Sequence, residues 1–349
     1  MFKKLNLVLI VTLIISTLFV SNVFADKVTL TIAESDPPTS LVGVYVNAVK
    51  DEIETRTEGE VEVEVYWAES LLVSREILQG VKDGVVDIGK INPNNYPDRL
   101  LVNGIFSIFP EGPVQFENIY DVITSAHKEI PEFGEELAGQ GQKILGLRVL
   151  LPTSICSNKP FTSFEDFEGK KIRAASRWWL GFLEGAGAIP VNIPFGDCYM
   201  ALETNNINAV YTNIDGFYRM KMHEPAPHIF LTRDLWTPIP MIYTMNINKW
   251  NSLPENIQQD IEDSFEAVIS TFAEAYNNEW DRIVTEYEEG EQIVTEASEE
   301  DIEKWVSMPA VDELQGQWIS EAENNGISNA REIVDKIKAL IQEGIDKEK

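Results

Sequence analysis

Short runs rich in valine and isoleucine alternate with helical patterns through the first half of the chain. The strand-like runs occupy residues 28–35, 61–67 and 86–91, and helical patterns occupy residues 41–57 and 72–83 between them. This alternation is typical of strand–helix–strand units that build a mostly parallel sheet with helices on its faces. The sequence therefore predicts an α/β fold.

The same order returns in the middle of the chain. Strand-like runs recur at residues 144–151, 171–174, 191–193 and 209–212, with short helical segments between them. This second series predicts a second sheet. The chain of 349 residues also exceeds what one hydrophobic core usually supports, so we expect two lobes.

An apolar pattern with helical period continues from Pro254 to Gly290 without a helix breaker. Its positions are Ile261, Phe265, Val268, Phe272, Tyr276, Trp280, Ile283 and Tyr287. Because a helix rises 1.5 Å per residue, a single helix here would be ~55 Å long and would lie across both lobes. A helix kinked or broken near Thr271 is the alternative. A last amphipathic helix is predicted over residues 329–342.

The first 25 residues have the layout of a secretory signal peptide. Lys3 and Lys4 precede an apolar run over residues 5–20, and the stretch ends with V-F-A at residues 23–25. A membrane anchor is the alternative, but the run is shorter than the ~20 residues that a span needs. No cysteine lies near the cleavage point for lipid attachment. We therefore expect cleavage and export to a periplasm.

The chain is strongly acidic, with a formal net charge of −29 at pH 7. Nucleic acid is excluded as a partner because a phosphate backbone demands a basic face. Exposed charges are screened beyond ~8 Å at physiological salt, so this acidity does not decide the charge of a ligand. A buried cationic site would still attract an anion.

Cys156 and Cys198 are the two cysteines. In an oxidising compartment a disulfide between them would close a loop of about 43 residues and contribute roughly 4 kcal/mol. Two buried thiols are the other interpretation, and both stay open from the sequence. An isolated pair is a poor metal site.

Enzyme signatures are absent from the sequence: there is no Gly-x-Ser-x-Gly elbow, His-Glu-x-x-His helix or phosphate-binding glycine loop. His223 and His228 flank E-P-A-P, whose prolines favour an ordinary loop over a metal site. His127 lies in a polar helical stretch and is expected at the surface. We predict no catalytic residue, no cofactor and no metal.

Three segments carry a specific resemblance. They read S-F-E-D-F-E-G-K-K-I-R at 163–173, G-A-G-A-I-P-V at 185–191 and P-F-G-D-C-Y-M-A-L-E-T-N-N-I-N-A at 194–209. These segments resemble the substrate-binding proteins of tripartite ATP-independent periplasmic (TRAP) transporters, of the dicarboxylate-binding DctP type. Those proteins read approximately D-L-K-G-L-K-I-R, then G-A-x-P, then P-F-x-E-x-Y-x-A-L-Q-x-x-x-V-D-G.

Further similarity at residues 55–67, 77–88 and 250–258 extends the resemblance over nearly the whole chain. It implies a two-lobed periplasmic-binding fold of type II character, a hinged cleft, a helix that bridges the lobes and no catalysis. It also implies a small organic acid as ligand and the TRAP membrane permease subunits as partners. We expect a first lobe at residues 26–149 plus 238–277 and a second at residues 150–237 plus 278–349.

Arg173 matches the arginine of the family's K-I-R motif, and the resemblance implies that it pairs with the ligand carboxylate. A guanidinium presents a rigid fork of donors to a planar carboxylate, and such charge-assisted pairs are about twice as strong as neutral ones. A structural salt bridge is the alternative role for Arg173.

The chain lacks a second arginine that many relatives carry in the strand before the S-x-K-P-like turn. When the sequences are aligned on Lys159 and Pro160, Pro152 stands at the position of that arginine. Arg177, at the start of a helix, is a candidate to replace the missing arginine. The alternative is that Arg177 is exposed to solvent and has no role in binding.

A second departure from the family pattern lies at the end of the strand at 209–212. Thr212 stands there in the place of the asparagine of the family's Q-E-N-P. Thr212 and Asn213 end this strand ahead of a helix that starts near Asp215, where backbone amides can receive an anion.

On the first lobe, the loops after the strands offer Glu34, Ser35, Asn92 and Asn95. The resemblance implies that these positions face the cleft, and open sheets bind ligands at the carboxyl ends of their strands. Each residue has an ordinary turn role as its alternative.

Three tryptophans, Trp178, Trp179 and Trp236, lie close to the motif positions. At least one is expected to line the cleft, with core packing as the alternative for each. A tryptophan wall would indicate a ligand with an apolar or aromatic portion.

Two other functions use the same observations. A secreted enzyme acting on acidic metabolites would need a nucleophile or an acid–base pair in the cleft, with Glu34 as its candidate carboxylate. The sensor lobe of a signalling system is the third hypothesis.

Overall fold

The computed structural model describes residues 27–232 and 239–349. The described residues form eleven strands in two sheets, as the α/β prediction requires. The strands are β1 Val28–Ala33, β2 Val61–Tyr66, β3 Ile88–Ile91, β4 Gln142–Arg148, β5 Thr153–Ser157, β6 Lys171–Arg173, β7 Ile189–Val191, β8 Ala209–Asn213, β9 His228–Leu231, β10 Met241–Asn246 and β11 Ile293–Glu296. The predicted signal peptide and Trp236 lie outside the described residues.

Helices cover the faces of both sheets. They are α1 Leu41–Arg56, α2 Ile77–Lys82, α3 Phe116–Glu129, α4 Glu132–Gly139, α5 Arg177–Gly185, α6 Cys198–Glu203, α7 Ile214–Arg219, α8 Ile247–Ser252, α9 Glu255–Ala267, α10 Ile269–Glu289, α11 Glu299–Val306, α12 Pro309–Asn324 and α13 Ala330–Asp346. Within the described ranges, no helix is both long and apolar enough to cross a membrane.

Each of the two sheets combines strands from distant parts of the chain. The first sheet has the order β2-β1-β3-β10-β4 and the second has the order β11-β9-β5-β8-β6-β7. In the first, β1 runs parallel to β2 and β3, whereas β10 is antiparallel to β3 and β4. The chain therefore crosses between the lobes after β4, after β9 and again before β11.

Burial explains which strands the sequence pattern reveals. Strands β3, β5 and β10 are buried along their whole length, as expected for inner strands covered on both faces. At the edge of the first sheet, β2 alternates buried Val61 and Val63 with exposed Glu62 and Glu64. Of these four strands, β2 shows the two-residue period of a half-exposed sheet.

The predicted long helix is present as two helices, α9 and α10, which meet at Val268. All eight predicted apolar positions are buried. Helix α9 packs on α1 and β4 of the first sheet, whereas α10 contacts α1 and also α7 and β11 of the second sheet. The prediction of one uninterrupted helix is therefore wrong, and the interruption lies three residues before Thr271. The prediction that this segment bridges both lobes is confirmed.

The last helix, α13, packs against α3 on the side of the first sheet. Just beyond it, the Glu348 carboxylate accepts hydrogen bonds from the backbone N–H groups of Val114 and Gln115 and from the Asn118 amide. This packing differs from the predicted division, which assigned residues 278–349 to the second lobe. The other lobe boundaries stay a prediction.

Both cysteines are free thiols buried in the core of the second lobe. The Cys156 thiol donates to the Ala226 carbonyl oxygen at 3.4 Å, and the Cys198 thiol donates to the Pro194 carbonyl oxygen at 3.6 Å. Burial raises the pKa of both thiols. The structure therefore has the two-thiol arrangement that the sequence left open.

His127 is not the surface residue that its polar neighbours predicted. Its ring packs against Phe133 at a centroid distance of 4.2 Å and is stacked on Phe106 at 6.1 Å. Nδ1 lies 2.8 Å from the Ile123 carbonyl oxygen, and the buried Nε2 has no hydrogen-bond partner. Burial lowers the pKa of His127 to about 4.

Candidate ligand-binding cleft

A cavity of about 1090 Å³ lies where strands of both sheets end, between the two lobes. Six cationic side chains and three acidic side chains line it. They are Arg75, Lys90, Arg148, Arg173, Arg177 and Arg219 on one hand and Asp36, Glu69 and Asp215 on the other. A cationic surplus in a chain of net charge −29 indicates a site for an anion.

Arg173 is the last residue of β6, which is paired with β7 and β8. Its side chain is 5% exposed, its Nε donates to the Ile193 carbonyl oxygen at 3.1 Å, and its guanidinium lies 5.4 Å from the centre of the Phe195 ring. None of the ion pairs among the described residues includes Arg173, so the structural salt bridge weighed for it is not formed there. Its terminal nitrogens stay available to a ligand.

The electrostatic surroundings of Arg173 favour an added anion. Burial lowers the pKa of Arg173, and nearby Arg75 acts in the same direction, although the Cys198 thiol opposes them. A cation held in a partly desolvated, like-charged environment is stabilised when a carboxylate binds beside it.

Arg148 lines the cavity although no sequence motif pointed to it. It ends β4, lines the cavity and is 2% exposed. Its Nη1 donates to the Val149 carbonyl oxygen at 3.3 Å, whereas Nε and Nη2 are buried without a hydrogen-bond partner. A signal was present in the sequence, because this arginine stands inside the apolar run at 144–151.

A buried ion network lies at the first-lobe side of the cavity. Lys90 of β3 pairs with Glu34 at 2.5 Å and also with Asp36. Glu34 accepts a further hydrogen bond from the Tyr243 hydroxyl at 2.9 Å, and Asp36 pairs with Arg219 of the second lobe. Burial raises the pKa of Asp36, but Lys90 and Arg219 outweigh it and hold that pKa far below its ordinary value.

Glu34 itself is 1% exposed and lies behind the cavity rather than on its lining. The next acidic residue along the chain, Asp36, takes the lining position. Asp36, Lys90 and Arg219 were not expected in the site from the sequence, and Asp215 was expected only near the start of a helix.

Ser35, Asn92 and Asn95 line the cavity, in agreement with the predicted cleft positions. The two asparagines also have local partners, since Asn92 Oδ1 accepts from the Asn94 backbone N–H at 3.1 Å and Asn95 Nδ2 donates to Ser74 Oγ at 2.8 Å. They therefore combine a turn role with a place on the cavity wall.

Thr212 and Asn213 also line the cavity at the end of β8. Thr212 Oγ1 donates to Asn213 Oδ1 at 3.1 Å, and Asn213 Nδ2 donates to the Asp215 carboxylate in the first turn of α7. Burial raises the pKa of Asp215. The acidic side chain of Asp215 at this helix start argues against the anion site predicted from backbone amides there.

Arg177 and Trp178 line the cavity where α5 begins. Arg177 is 40% exposed, pairs with Glu321 at 2.8 Å and lies 4.4 Å from the centre of the Trp178 ring. Trp179 belongs to the core instead, and Trp236 is outside the described residues. Arg177 thus lies near the ligand space but already has a carboxylate partner.

The polar lining offers no metal centre. Throughout residues 27–232 and 239–349, no group of three histidine, cysteine, aspartate or glutamate side chains is arranged to hold a metal ion. The arrangement consists of fixed guanidinium groups beside an aromatic wall, which suits reversible binding of an organic anion.

Comparison with known proteins identifies the fold and the family. The model of the bacterial extracellular solute-binding protein family 7 (DctP) matches residues 32–315. The chain is 25% identical over 234 residues to the 2,3-diketo-L-gulonate-binding periplasmic protein of Escherichia coli, covering 65% of this chain and 66% of that protein. The match thus spans just under two thirds of that relative's length.

Two other relatives extend this likeness. The ectoine-binding periplasmic protein TeaA of Halomonas elongata is 24% identical over 258 residues, which cover 74% of this chain and 72% of that protein. A TRAP periplasmic solute binding protein of Desulfovibrio salexigens has the same fold, with a TM-score of 0.77 at 21% identity over 90% of this chain and 95% of that one.

The two-lobed fold, the bridging helix and the matched family segment agree with one another. The resemblance to TRAP solute-binding proteins inferred from the sequence is thereby confirmed, together with the predicted fold class. The chain belongs to family 7 of the bacterial extracellular solute-binding proteins.

Proposed function

We propose that this solute-binding protein captures a small organic carboxylate in the periplasm and delivers it to the membrane subunits of a TRAP transporter. One observation carries the proposal: Arg173 is a buried cation on the cavity wall with no ion pair among the described residues. Buried charges are normally paired, so a carboxylate of the ligand is the partner that this site lacks.

The lining also supports a ligand with an apolar portion. Trp178, Pro194, Phe195 and Met241 face the same cavity as Arg173. A carboxylate held by the guanidinium would direct the rest of the molecule along this wall, where burial of apolar surface adds to affinity.

Capture requires the lobes to move. In the described part of the chain, the connection from β4 to β5 and helix α10 join the two sheets, so these two segments are the hinge candidates. Closure would remove water from the Arg173 pair, and a charge-assisted hydrogen bond there would contribute roughly 1.5 to 3 kcal/mol.

Catalysis on acidic metabolites is less well supported. Glu34, the carboxylate that an enzyme hypothesis would use, is held by Lys90 and Tyr243 behind the cavity lining. We therefore assign this chain a receptor role, and we infer that it is not an enzyme.

A thermal-shift screen over organic acids tests the proposal, because a ligand that binds only the native state raises the melting temperature. We expect at least one small carboxylate to do so and to be recovered chemically unchanged by mass spectrometry. Stabilisation by neutral sugars or by cations alone, or conversion of the bound acid, would contradict the proposed function.

A further inference from the structure

Arg148 and Asp215 carry opposite charges on the two sides of the cavity. Arg148 ends β4 of the first sheet, whereas Asp215 lies in the first turn of α7 on the second sheet. Both line the cavity, and Arg148 is 2% exposed. Two guanidinium nitrogens of Arg148 are buried without a hydrogen-bond partner, and the Asp215 carboxylate accepts from Asn213 Nδ2. Within the described parts of the chain, neither residue forms an ion pair.

The face of α7 that carries Asp215 points towards the first lobe. Asp215 and Arg219 are one helical turn apart and therefore share a face. Arg219 pairs with Asp36 of the first lobe, and Asp36 lies close enough to Arg148 for each to shift the pKa of the other. Two charges of α7 thus face two charges of opposite sign on the first lobe.

Arg148 and Asp215 already interact through space. Burial lowers the pKa of Arg148, but Tyr243 and three carboxylates, Asp215 among them, outweigh burial and raise it. Burial raises the pKa of Asp215, and Arg148 is among the groups that oppose this effect. A closer approach would therefore favour the charged forms of both side chains.

The surroundings of both side chains have already removed much of their hydration. Desolvation is the term that usually cancels the Coulomb attraction in a buried ion pair. Because Arg148 and Asp215 are desolvated before they meet, contact between them adds attraction with little further loss of hydration. Their separation in the present arrangement is thus the less favourable state for these two groups.

The connection from β4 to β5, one of the hinge candidates, is attached to both residues. Arg148 directly precedes it, and the Ile214 N–H donates to the Pro152 carbonyl oxygen at 3.1 Å, which ties the start of α7 to the same connection. Bending of this connection therefore changes the separation of Arg148 and Asp215.

We propose that Arg148 and Asp215 form an ion pair between the lobes when the cavity narrows, and that this pair populates a more closed form of the protein without any ligand. The two side chains are positioning residues for capture, since they bring the lobes together around the space that the ligand enters. This inference does not depend on which ligand the cleft binds.

Electron–electron double resonance on spin-labelled, ligand-free protein tests the inference on the full mature chain. Labels are attached at Val73→Cys on the first lobe and Met200→Cys on the second lobe, two exposed positions. Val73→Cys with Val85→Cys, both on the first lobe, is the control for motion of the labels alone. Dialysis from denaturant before labelling removes any co-purified acid, and circular dichroism verifies that each variant is folded.

The labelled protein is compared with Arg148→Met, Asp215→Asn, Arg148→Lys, the Met/Asn double variant and the exposed control Arg331→Met. With both charges present we expect a longer and a shorter distance between the lobes. The population with the shorter distance should fall about threefold or more in Arg148→Met and in Asp215→Asn. The double variant should match either single variant, because all three remove the same pair. Arg148→Lys should keep most of that population, since a cation remains, and Arg331→Met should change nothing.

Three results would overturn the inference. These are a single distance between the lobes when both charges are present, unchanged populations in Asp215→Asn, and the same loss in Arg148→Lys as in Arg148→Met, which would assign Arg148 a packing role. Asp215→Asn nearly preserves the shape of the side chain, so it decides the question if Arg148→Met does not fold. None of these results bears on the proposed function, which the thermal-shift screen tests separately.

Discussion

Asp36 and Arg219 form an ion pair that connects the two lobes beside the cavity. Asp36 follows β1 of the first sheet, and Arg219 is the last residue of α7 on the second sheet. Lys90 holds the same aspartate from the first lobe. A movement of the lobes that separates α7 from β1 must therefore break the Asp36–Arg219 pair. The Asp36–Lys90 pair would stay intact, because both residues belong to the first lobe.

Arg219→Met should lower the free energy of unfolding by about 1 kcal/mol, since Arg219 is partly exposed and Asp36 keeps Lys90 as its partner. Urea denaturation followed by fluorescence gives the value. Lys221→Met is the matched control, because its pair with Glu224 is exposed and should contribute almost nothing. Equal stability of Arg219→Met and wild type would show that the inter-lobe pair is not stabilising.

His127 should make the protein less stable in acid. Its pKa in the folded state is lowered to about 4 from an ordinary value of 6.5. The unfolded chain therefore binds more protons between these values, so this contribution is complete above pH 6.5 and is lost as the pH falls towards 4.

Replacement of His127 by glutamine should remove that dependence. Between pH 7.5 and 4.5, wild type should lose about 2 kcal/mol more than His127→Gln, since one pKa unit corresponds to ~1.4 kcal/mol. Urea titrations of both proteins at the two pH values give the difference, in which carboxylates common to both cancel. Parallel losses would mean that the ring is protonated in the folded state.

The two thiols should be inaccessible in the native protein and free when it unfolds. Cys156 and Cys198 are each fully buried, and burial raises the pKa of both, which suppresses the reactive thiolate. A thiol-specific disulfide reagent should therefore report no fast-reacting thiol in buffer and both thiols in denaturant without reductant. Absence of reactive thiols in denaturant would indicate a disulfide instead.

The sequence predicted the architecture well where burial leaves a periodic trace. Strand β2 alternates valine with glutamate, and the apolar face of α9 and α10 recurs every three or four residues. Strand β10 is buried at every position and has no such period, so its place between β3 and β4 was not foreseen. Nor does the apolar pattern change at Val268, where the long helix divides.

Site residues were harder to predict than the fold. The register of a strand decides which of the residues at its end faces the cavity, and the sequence does not give that register. Family motifs led to Arg173, Thr212 and Asn213, and all three line it. Glu34 and Asp36 are two residues apart after β1, and sequence alone could not tell which of them reaches the lining. Arg148 was missed because the family pattern directs attention to a later position, where this chain has Pro152.

Calorimetric titration of the Arg173 variants tests the central claim most directly. With the acid that gives the largest thermal shift, Arg173→Ala should weaken binding by about one to two decades, because the ligand carboxylate loses its charge-assisted partner. Arg173→Lys should recover little of that loss, since an ammonium does not offer the same fork of donors. The exposed control Arg331→Met should bind as wild type does, whereas unaltered affinity in Arg173→Ala would contradict the claim that this guanidinium grips the ligand.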